Sequence, residues 1–80
     1  MGKFFVQTRY VTGPESLALR KATGLSQRQA AALFGLHAGT LSNWEHGRRE
    51  TPKWAVIIYK ILAAKRQALI TGQTPVVELD

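Results

Sequence analysis

Apolar residues in the second half of the chain recur at steps of three and four positions, the spacing of one face of an α-helix. Five of them form the longest such series: Trp54, Ile57, Ile58, Ile61 and Leu62. Thr51 and Pro52 precede this series and are typical of a helix start, because proline has no N–H for the first turn to leave unbonded. The pattern predicts a helix that closes the core and continues to about Ile70.

Two shorter helical segments lie upstream and are bounded by cap residues. The first is predicted over residues 14–23, with a proline at its first position and a glycine after its last. Ser26 and Gln29 have the spacing of a capping box, in which the hydroxyl accepts a backbone N–H and the amide bonds back to the cap residue. The second helix should therefore start at Gln27 and be stopped by Gly35.

A third helix is predicted from Ala38 to His46. Leu41 and Trp44 lie three positions apart on its apolar face, and a glycine follows its last turn. The opposite face carries small or polar residues that have nothing to bury: Gly39, Ser42, Asn43 and His46. These side chains are available to a molecule outside the fold.

The chain is therefore predicted to be all-α, with about four helices in one compact domain over residues 14–71. An N-terminal arm over residues 1–13 contains Phe4 and Phe5, and a C-terminal tail over residues 72–80 contains two adjacent valines. Such residues favour extended backbone. We expect the arm and the tail to be short extended segments that are able to pair as strands.

The charge of the chain indicates a polyanionic partner. Eleven lysines and arginines against five aspartates and glutamates give a net charge of +6 and an isoelectric point near 10.4. That value exceeds the threshold of about 9 that marks nucleic-acid-binding domains. Between residues 16 and 77, nine basic residues face only Glu45 and Glu50, so the middle of the chain carries the positive charge.

Catalytic and metal-binding functions find little support in the residues. The sequence contains no cysteine, and His37 and His46 are its two histidines. Because they are nine positions apart on one short helix, they point to different faces and do not form a metal site. No pair of carboxylates has a useful spacing for acid and base chemistry. We therefore expect a protein that is not an enzyme and that has no metal and no cofactor.

Membrane insertion and secretion are not expected either. The longest apolar run, over residues 54–59, is far shorter than the roughly 20 residues that a bilayer span requires. The N-terminus lacks the long apolar region and the small-residue cleavage site of a signal peptide. These features favour a cytoplasmic protein with no membrane contact.

Four short segments follow one another between Leu25 and Arg49: Leu-Ser-Gln-Arg-Gln-Ala-Ala, Phe-Gly-Leu, Thr-Leu-Ser-Asn-Trp-Glu and Gly-Arg-Arg. In this order they resemble the Cro/cI (XRE) family of helix-turn-helix repressors, with the motif itself from Leu25 to Gly47 and similarity from about Ser16 to Leu62. The resemblance implies a lambda-repressor-like domain in a bacterial or phage-encoded regulator. Its partner would be double-stranded DNA, bound at a palindromic operator by a homodimer with helix 37–46 in the major groove.

The resemblance also implies which residues touch the bases. They lie in the first turn of the third helix and just before its Trp-Glu pair: His37, Ala38, Gly39, Ser42 and Asn43. Asn43 is the best candidate, because a carboxamide can donate to adenine and accept from it at once. Ala38 and Gly39 replace the polar residues common there, and His37 stands where relatives have a serine or threonine cap. We expect these departures to shift part of the specificity to DNA shape.

Other positions are expected to contact the DNA backbone: Gln27, Arg28, Thr40, His46, Arg48, Arg49 and Lys53. Arg20 and Glu45 match a family pair that ties the first helix to the end of the third, so we assign them to the architecture. Trp44 is assigned to the core, together with Leu33, Leu41 and Trp54.

A second interpretation remains open at this point. The helix-turn-helix could be the scaffold of a protein-binding module, such as an antitoxin or a phage regulator that binds another protein. The apolar segments Phe4-Phe5-Val6 and Val76-Val77 would then form the interface. Both functions are compatible with a homodimer built through the arm, the tail or both.

Overall fold

The structure is a computed structural model that describes residues 11–72 of the 80-residue chain. Its elements are four helices: α1 (Gly13–Thr23), α2 (Gln27–Phe34), α3 (Ala38–Glu45) and α4 (Lys53–Thr71). The prediction of an all-α fold with about four helices is confirmed. The predicted strand pairing of the arm and the tail concerns residues 1–10 and 73–80, which lie outside the described residues.

Capping boxes define the starts of α1 and α2. The predicted box on α2 is present: Gln29 donates its backbone N–H to the Ser26 hydroxyl over 3.0 Å, and the Ser26 N–H donates to the Gln29 side chain over 2.9 Å. Thr12 and Glu15 form a second box that the sequence analysis did not identify. Because Thr12 is the cap, α1 begins at Gly13, one residue earlier than predicted.

The predicted cap of α4 is wrong. Pro52, not Thr51, is its N-cap, and no side chain caps the helix among the described residues. The Thr51 hydroxyl instead donates over 2.8 Å to the Ser16 hydroxyl, and both residues are buried between α1 and the loop before α4. Thr51 thus joins two distant parts of the chain. Small shifts also occur elsewhere, since α3 ends at Glu45, one residue before the predicted His46, and α4 ends at Thr71.

The core is built from small and aromatic side chains. Its fully or nearly fully buried members are Ala30, Ala31, Leu41, Trp44, Ala55 and Tyr59. The two alanines of α2 leave room for α3 to approach closely, and Leu41 and Trp44 of α3 fill that space. The apolar face predicted for the third helix is therefore buried as expected.

Two residues assigned to the core from the sequence are exposed instead. Leu33 is 57% exposed and Trp54 is 46% exposed, so the core assignment of both is wrong. Trp54 still packs one edge of its indole against Phe34 and Trp44, with ring centroids 5.2 and 6.2 Å apart. Helical spacing placed both residues near the apolar stripe, but an eight-residue helix and a first helical turn have too few neighbours to cover them.

Close backbone packing joins the start of α1 to the end of α3. Gly13 is buried, and a Cβ atom there would lie 2.6 Å from the Glu45 carbonyl oxygen and 2.9 Å from the Gly47 nitrogen. Only glycine permits this approach without a shift of the backbone. The contact sets the position of the end of α3 relative to α1.

Membrane insertion was tested on the helices themselves. Among the described residues, no helix combines the length and the apolar character that crossing a bilayer requires.

Candidate nucleic-acid interface

A tight turn connects α2 to α3. Gly35 ends α2 in the left-handed region at φ 74°, and the Leu36 N–H returns to the Ala31 carbonyl over 2.9 Å. This arrangement, with the Gly35 N–H on the Ala32 carbonyl, bonds two carbonyl groups of the last turn of α2, and α3 begins three residues after Gly35. The two helices then share the buried surface around Ala31 and Leu41.

A partly buried ionic cluster holds the end of α3. The Arg20 guanidinium donates to both Glu45 carboxylate oxygens, from Nε over 2.7 Å and from Nη2 over 3.3 Å. Its third group, Nη1, donates to the Leu25 carbonyl over 2.9 Å, so the same side chain holds the loop before α2. The structure thus places the Arg20 and Glu45 pair between α1 and the last turn of α3. A planar fork of donors suits this role, because it satisfies three acceptors at once.

Gln27 belongs to the same cluster. Its side-chain nitrogen donates to Glu45 Oε1 over 3.0 Å, a contact that the sequence analysis missed. The bond orients the amide toward the protein. The first backbone hydrogen bond of α2 runs from the Ala30 N–H to the Ser26 carbonyl, so the N–H groups of Gln27 and Arg28 come before the helical bonding pattern begins. Such N–H groups at a helix start are suited to an anion. The sequence could not predict this contact, because only the fold brings Gln27 and Glu45 within hydrogen-bond distance.

The polar face of α3 reaches the surface at most of the predicted positions. His37 and Gly39 are exposed, whereas Ser42 and Asn43 are half-buried at the rim of the helix. Ala38 is partly buried and packs against the core. Among the described residues, the exposed His37 side chain makes no cap hydrogen bond to α3.

His46 folds back on the last turn of α3. Its Nδ1 lies 2.8 Å from the Ser42 carbonyl oxygen and 3.3 Å from the Ser42 hydroxyl. Because a carbonyl oxygen only accepts hydrogen bonds, Nδ1 must carry the proton in this arrangement. Nδ1 is therefore bonded within the protein, and Nε2 is the ring nitrogen left for an external partner.

The loop after α3 turns back onto Asn43. Gly47 adopts φ 74°, and the next two N–H groups, those of Arg48 and Arg49, donate to the Asn43 carbonyl over 2.9 and 3.3 Å. The Arg48 guanidinium also reaches the Asn43 side chain, from Nη1 to Oδ1 over 3.4 Å. Asn43 is therefore held by the loop through its backbone and its side chain.

An open groove of about 610 Å³ adjoins this loop. Its lining includes Thr40 and Asn43 of α3, Arg49 of the loop and Trp54 of α4. Trp54 is not among the site residues predicted from the sequence, because its helical spacing assigned it to the core. Its position in the first turn of a helix, directly after Pro52 and Lys53, was the available signal for partial exposure.

The sequence model of one protein family, described as a helix-turn-helix domain, matches residues 18–63, which is more than half of the chain. The chain belongs to this helix-turn-helix family. The family occurs in XRE-type regulators, in agreement with the resemblance found in the sequence. No curated protein and no solved structure matches the chain.

Four exposed cations lie on the helix-turn-helix segment or directly after it. Arg28 lies in the first turn of α2, Arg48 and Arg49 lie in the loop after α3, and Lys53 opens α4; all four are exposed. Basic side chains around a helix that has its polar face free are typical of a surface for the DNA backbone. The family and this surface together point to a DNA-binding transcriptional regulator.

Proposed function

We propose that this chain is a sequence-specific transcriptional repressor that binds a palindromic operator as a homodimer, with α3 in the major groove. One observation carries the proposal: α3 buries Leu41 and Trp44 on one side, whereas the small and polar residues on its other side are exposed or half-buried, and two exposed arginines follow in the next loop. A helix anchored in this way fits the major groove, which is about 12 Å wide.

The proposed base contacts come from the exposed side of α3. Asn43 and Ser42 offer short polar groups, and His37 offers an imidazole at the start of the helix. Gly39 would meet nothing within 4 Å if it carried a Cβ atom, so the helix surface is flat there and allows close approach to the base edges. Ala38 contributes at most a methyl contact, such as one with thymine, because it is partly buried.

The proposed backbone contacts surround these residues. They are Gln27 and Arg28 at the start of α2, Thr40 and His46 on α3, and Arg48, Arg49 and Lys53 beyond it. For Gln27 we place the contact on its backbone N–H, because its side chain is bonded to Glu45. For His46 we place the contact on Nε2, because Nδ1 is bonded to the Ser42 carbonyl.

The proposed dimer rests on apolar residues near the end of α4. Leu69 and Ile70 are 86% and 67% exposed, and the chain continues from there into a tail that contains two valines. Burial of such a surface against a second copy would remove apolar area from water. Two copies would place their α3 helices on half-sites about 34 Å apart.

A titration of full-length variants against selected DNA tests the DNA-binding part of the proposal. We expect Asn43→Ala to weaken binding to the selected site by about 1–3 kcal/mol and to change binding to unrelated DNA much less. Lys53→Ala should weaken binding to both DNAs and lower the slope of log affinity against log salt by about 0.9, because a phosphate contact releases counterions. Fluorescence anisotropy at several salt concentrations measures both quantities.

Lys65→Ala is the matched control. Lys65 is exposed on the same helix as Lys53, twelve residues away, which is about 18 Å along an α-helix. The Lys65→Ala substitution removes the same charge as Lys53→Ala and should leave the slope of log affinity against log salt unchanged. Equal effects of the two lysine variants, together with no loss of specificity in Asn43→Ala, would contradict the proposal. Loss of a co-purified protein partner with DNA binding intact would instead support the protein-binding function.

A further inference from the structure

We infer that Arg48 is a positioning residue that sets the base preference of Asn43 by fixing which end of its carboxamide faces the DNA. The inference rests on the proposed function, since it concerns how the same surface reads a sequence. It differs from a phosphate contact by Arg48, because it acts through another side chain.

The loop brings the two residues together through its backbone. With Gly47 in the left-handed region at φ 74°, the N–H groups of Arg48 and Arg49 both donate to the Asn43 carbonyl. The backbone hydrogen bond from Arg48 to Asn43 therefore brings the Arg48 side chain close to Asn43. No contact with residues distant in the chain is needed for this approach. Its Nη1 group lies 3.4 Å from Asn43 Oδ1.

The chemistry of the guanidinium decides the orientation of the amide. An arginine side chain carries donors and no acceptor, so only the oxygen end of the Asn43 carboxamide can bond to it. The nitrogen end, with two N–H donors, lies at the other corner of the planar group and is left for an external partner. Asn43 thus offers hydrogen-bond donors, while part of the accepting capacity of its oxygen is used within the protein.

This orientation favours a different base from the one expected for a free asparagine. A free carboxamide pairs with adenine by donating to N7 and accepting from the N6 amino group. An asparagine that presents donors matches guanine, which offers N7 and O6 as adjacent acceptors in the major groove. We therefore expect guanine at the position read by Asn43 and a shift toward adenine when Arg48 no longer binds the oxygen.

Selection of binding sites from random DNA by the full-length protein tests the inference. The variants are Arg48→Met, which keeps length but removes the donors, and Arg49→Met, its matched control. Arg49 is an equally exposed cation in the same loop that meets Asn43 through its backbone N–H. We expect the ratio of guanine to adenine at the Asn43-dependent position to fall roughly fivefold or more in Arg48→Met and to stay unchanged in Arg49→Met.

Several results of the site selection would contradict the inference. The inference is overturned if the wild type and both variants select the same base at this position. It is also overturned if the ratio of guanine to adenine falls equally in Arg49→Met, or if the wild type selects adenine. Loss of guanine without gain of adenine shows that Arg48 reads guanine itself, which also overturns it. A wild-type protein that selects no sequence overturns the proposed function as well, so the two failures are distinguishable.

The free protein provides a second measurement that does not depend on DNA. The side-chain NH₂ resonances of Asn43, assigned by their disappearance in Asn43→Ala, should move in Arg48→Met and stay in place in Arg49→Met. Resonances that stay in place in both variants would show that the guanidinium does not hold the amide, and would overturn the inference.

Discussion

At the scale of single residues, Tyr59 is the side chain least well matched to its surroundings. It is fully buried, and its ring centroid lies 5.4 Å from that of Phe34. Its hydroxyl has no hydrogen-bond partner among the described residues. Burial raises the pKa of Tyr59 to about 12, the negative charge of Glu45 raises it as well, and the positive charge of Arg20 acts in the opposite direction. The ring stabilises the core, whereas the hydroxyl is expected to destabilise it.

We predict that Tyr59→Phe raises the free energy of unfolding by about 1–3 kcal/mol at neutral pH, because the variant keeps the ring contacts and removes a buried group that lacks a partner. Urea unfolding at pH 7, followed by tryptophan fluorescence, measures the change. A lower stability of the variant would show that the hydroxyl has a partner in solution.

The unfolding free energies of the wild type and of Tyr59→Phe should differ more at high pH. In the unfolded chain the phenol ionises near its ordinary pKa of 10.0, whereas in the folded chain it retains the proton to about 12. Between these values the unfolded state has lost a proton that the folded state keeps, so the wild type loses stability as the pH rises. The variant lacks this titration, and the difference between the two unfolding free energies should therefore grow between pH 10 and 12.

At the scale of elements, the helices differ in how their first turns are capped. α1 and α2 have complete capping boxes, whereas α3 begins at His37 and, in the described part of the chain, lacks a side-chain cap. The backbone of His37 has the extended conformation of an N-cap, at φ −83° and ψ 149°, so a better cap would fit without rearrangement. Among the described residues, α3 thus lacks a stabilising contact that α1 and α2 have.

We predict that His37→Ser stabilises the protein by about 1 kcal/mol, because the serine hydroxyl accepts a backbone N–H in the first turn of α3. The same change removes an imidazole from the proposed interface, so binding to the selected site should weaken while stability rises. Thermal unfolding and anisotropy titration give the two values. Ser26→Ala is the control at the filled cap of α2 and should destabilise by a similar amount; a His37→Ser protein no more stable than the wild type would refute the explanation.

At the scale of the whole molecule, the cations proposed to contact DNA and the two most exposed large apolar residues lie in different places. The cations Arg48, Arg49 and Lys53 accompany α3 and the start of α4, whereas Leu69 and Ile70 are exposed near the other end of α4. α4 has 19 residues and spans about 28 Å, so the two surfaces can serve different partners at the same time. This separation is compatible with the proposed DNA-binding dimer.

We predict that deleting residues 1–10 or residues 73–80, or replacing Leu69 and Ile70 with glutamine, raises the dissociation constant of the dimer, because each change removes apolar surface from the proposed interface. Sedimentation equilibrium measures it. Leu33→Gln is the control, since Leu33 is an exposed leucine on α2. An unchanged balance of monomer and dimer in both deletions would exclude the arm and the tail from the interface.

The sequence by itself determined the number, type and approximate bounds of the helices. These features depend on interactions between residues three or four positions apart, such as the Ser26 and Gln29 box and the Leu41 and Trp44 face, and such interactions are visible in the order of residues. The family segments between Leu25 and Arg49 added the position of the candidate DNA-contacting helix, because their spacing belongs to one fold.

Only the tertiary structure decided the roles that depend on residues distant in the chain. Thr51 has the sequence of a helix cap, yet its hydroxyl bonds to Ser16, and Gln27 bonds to Glu45 eighteen positions away. Trp54 and Leu33 follow the apolar pattern but remain exposed, because burial depends on which neighbours arrive from other helices. Periodicity specifies which face of a helix is apolar, and the packing of the four helices determines how much of that face is covered.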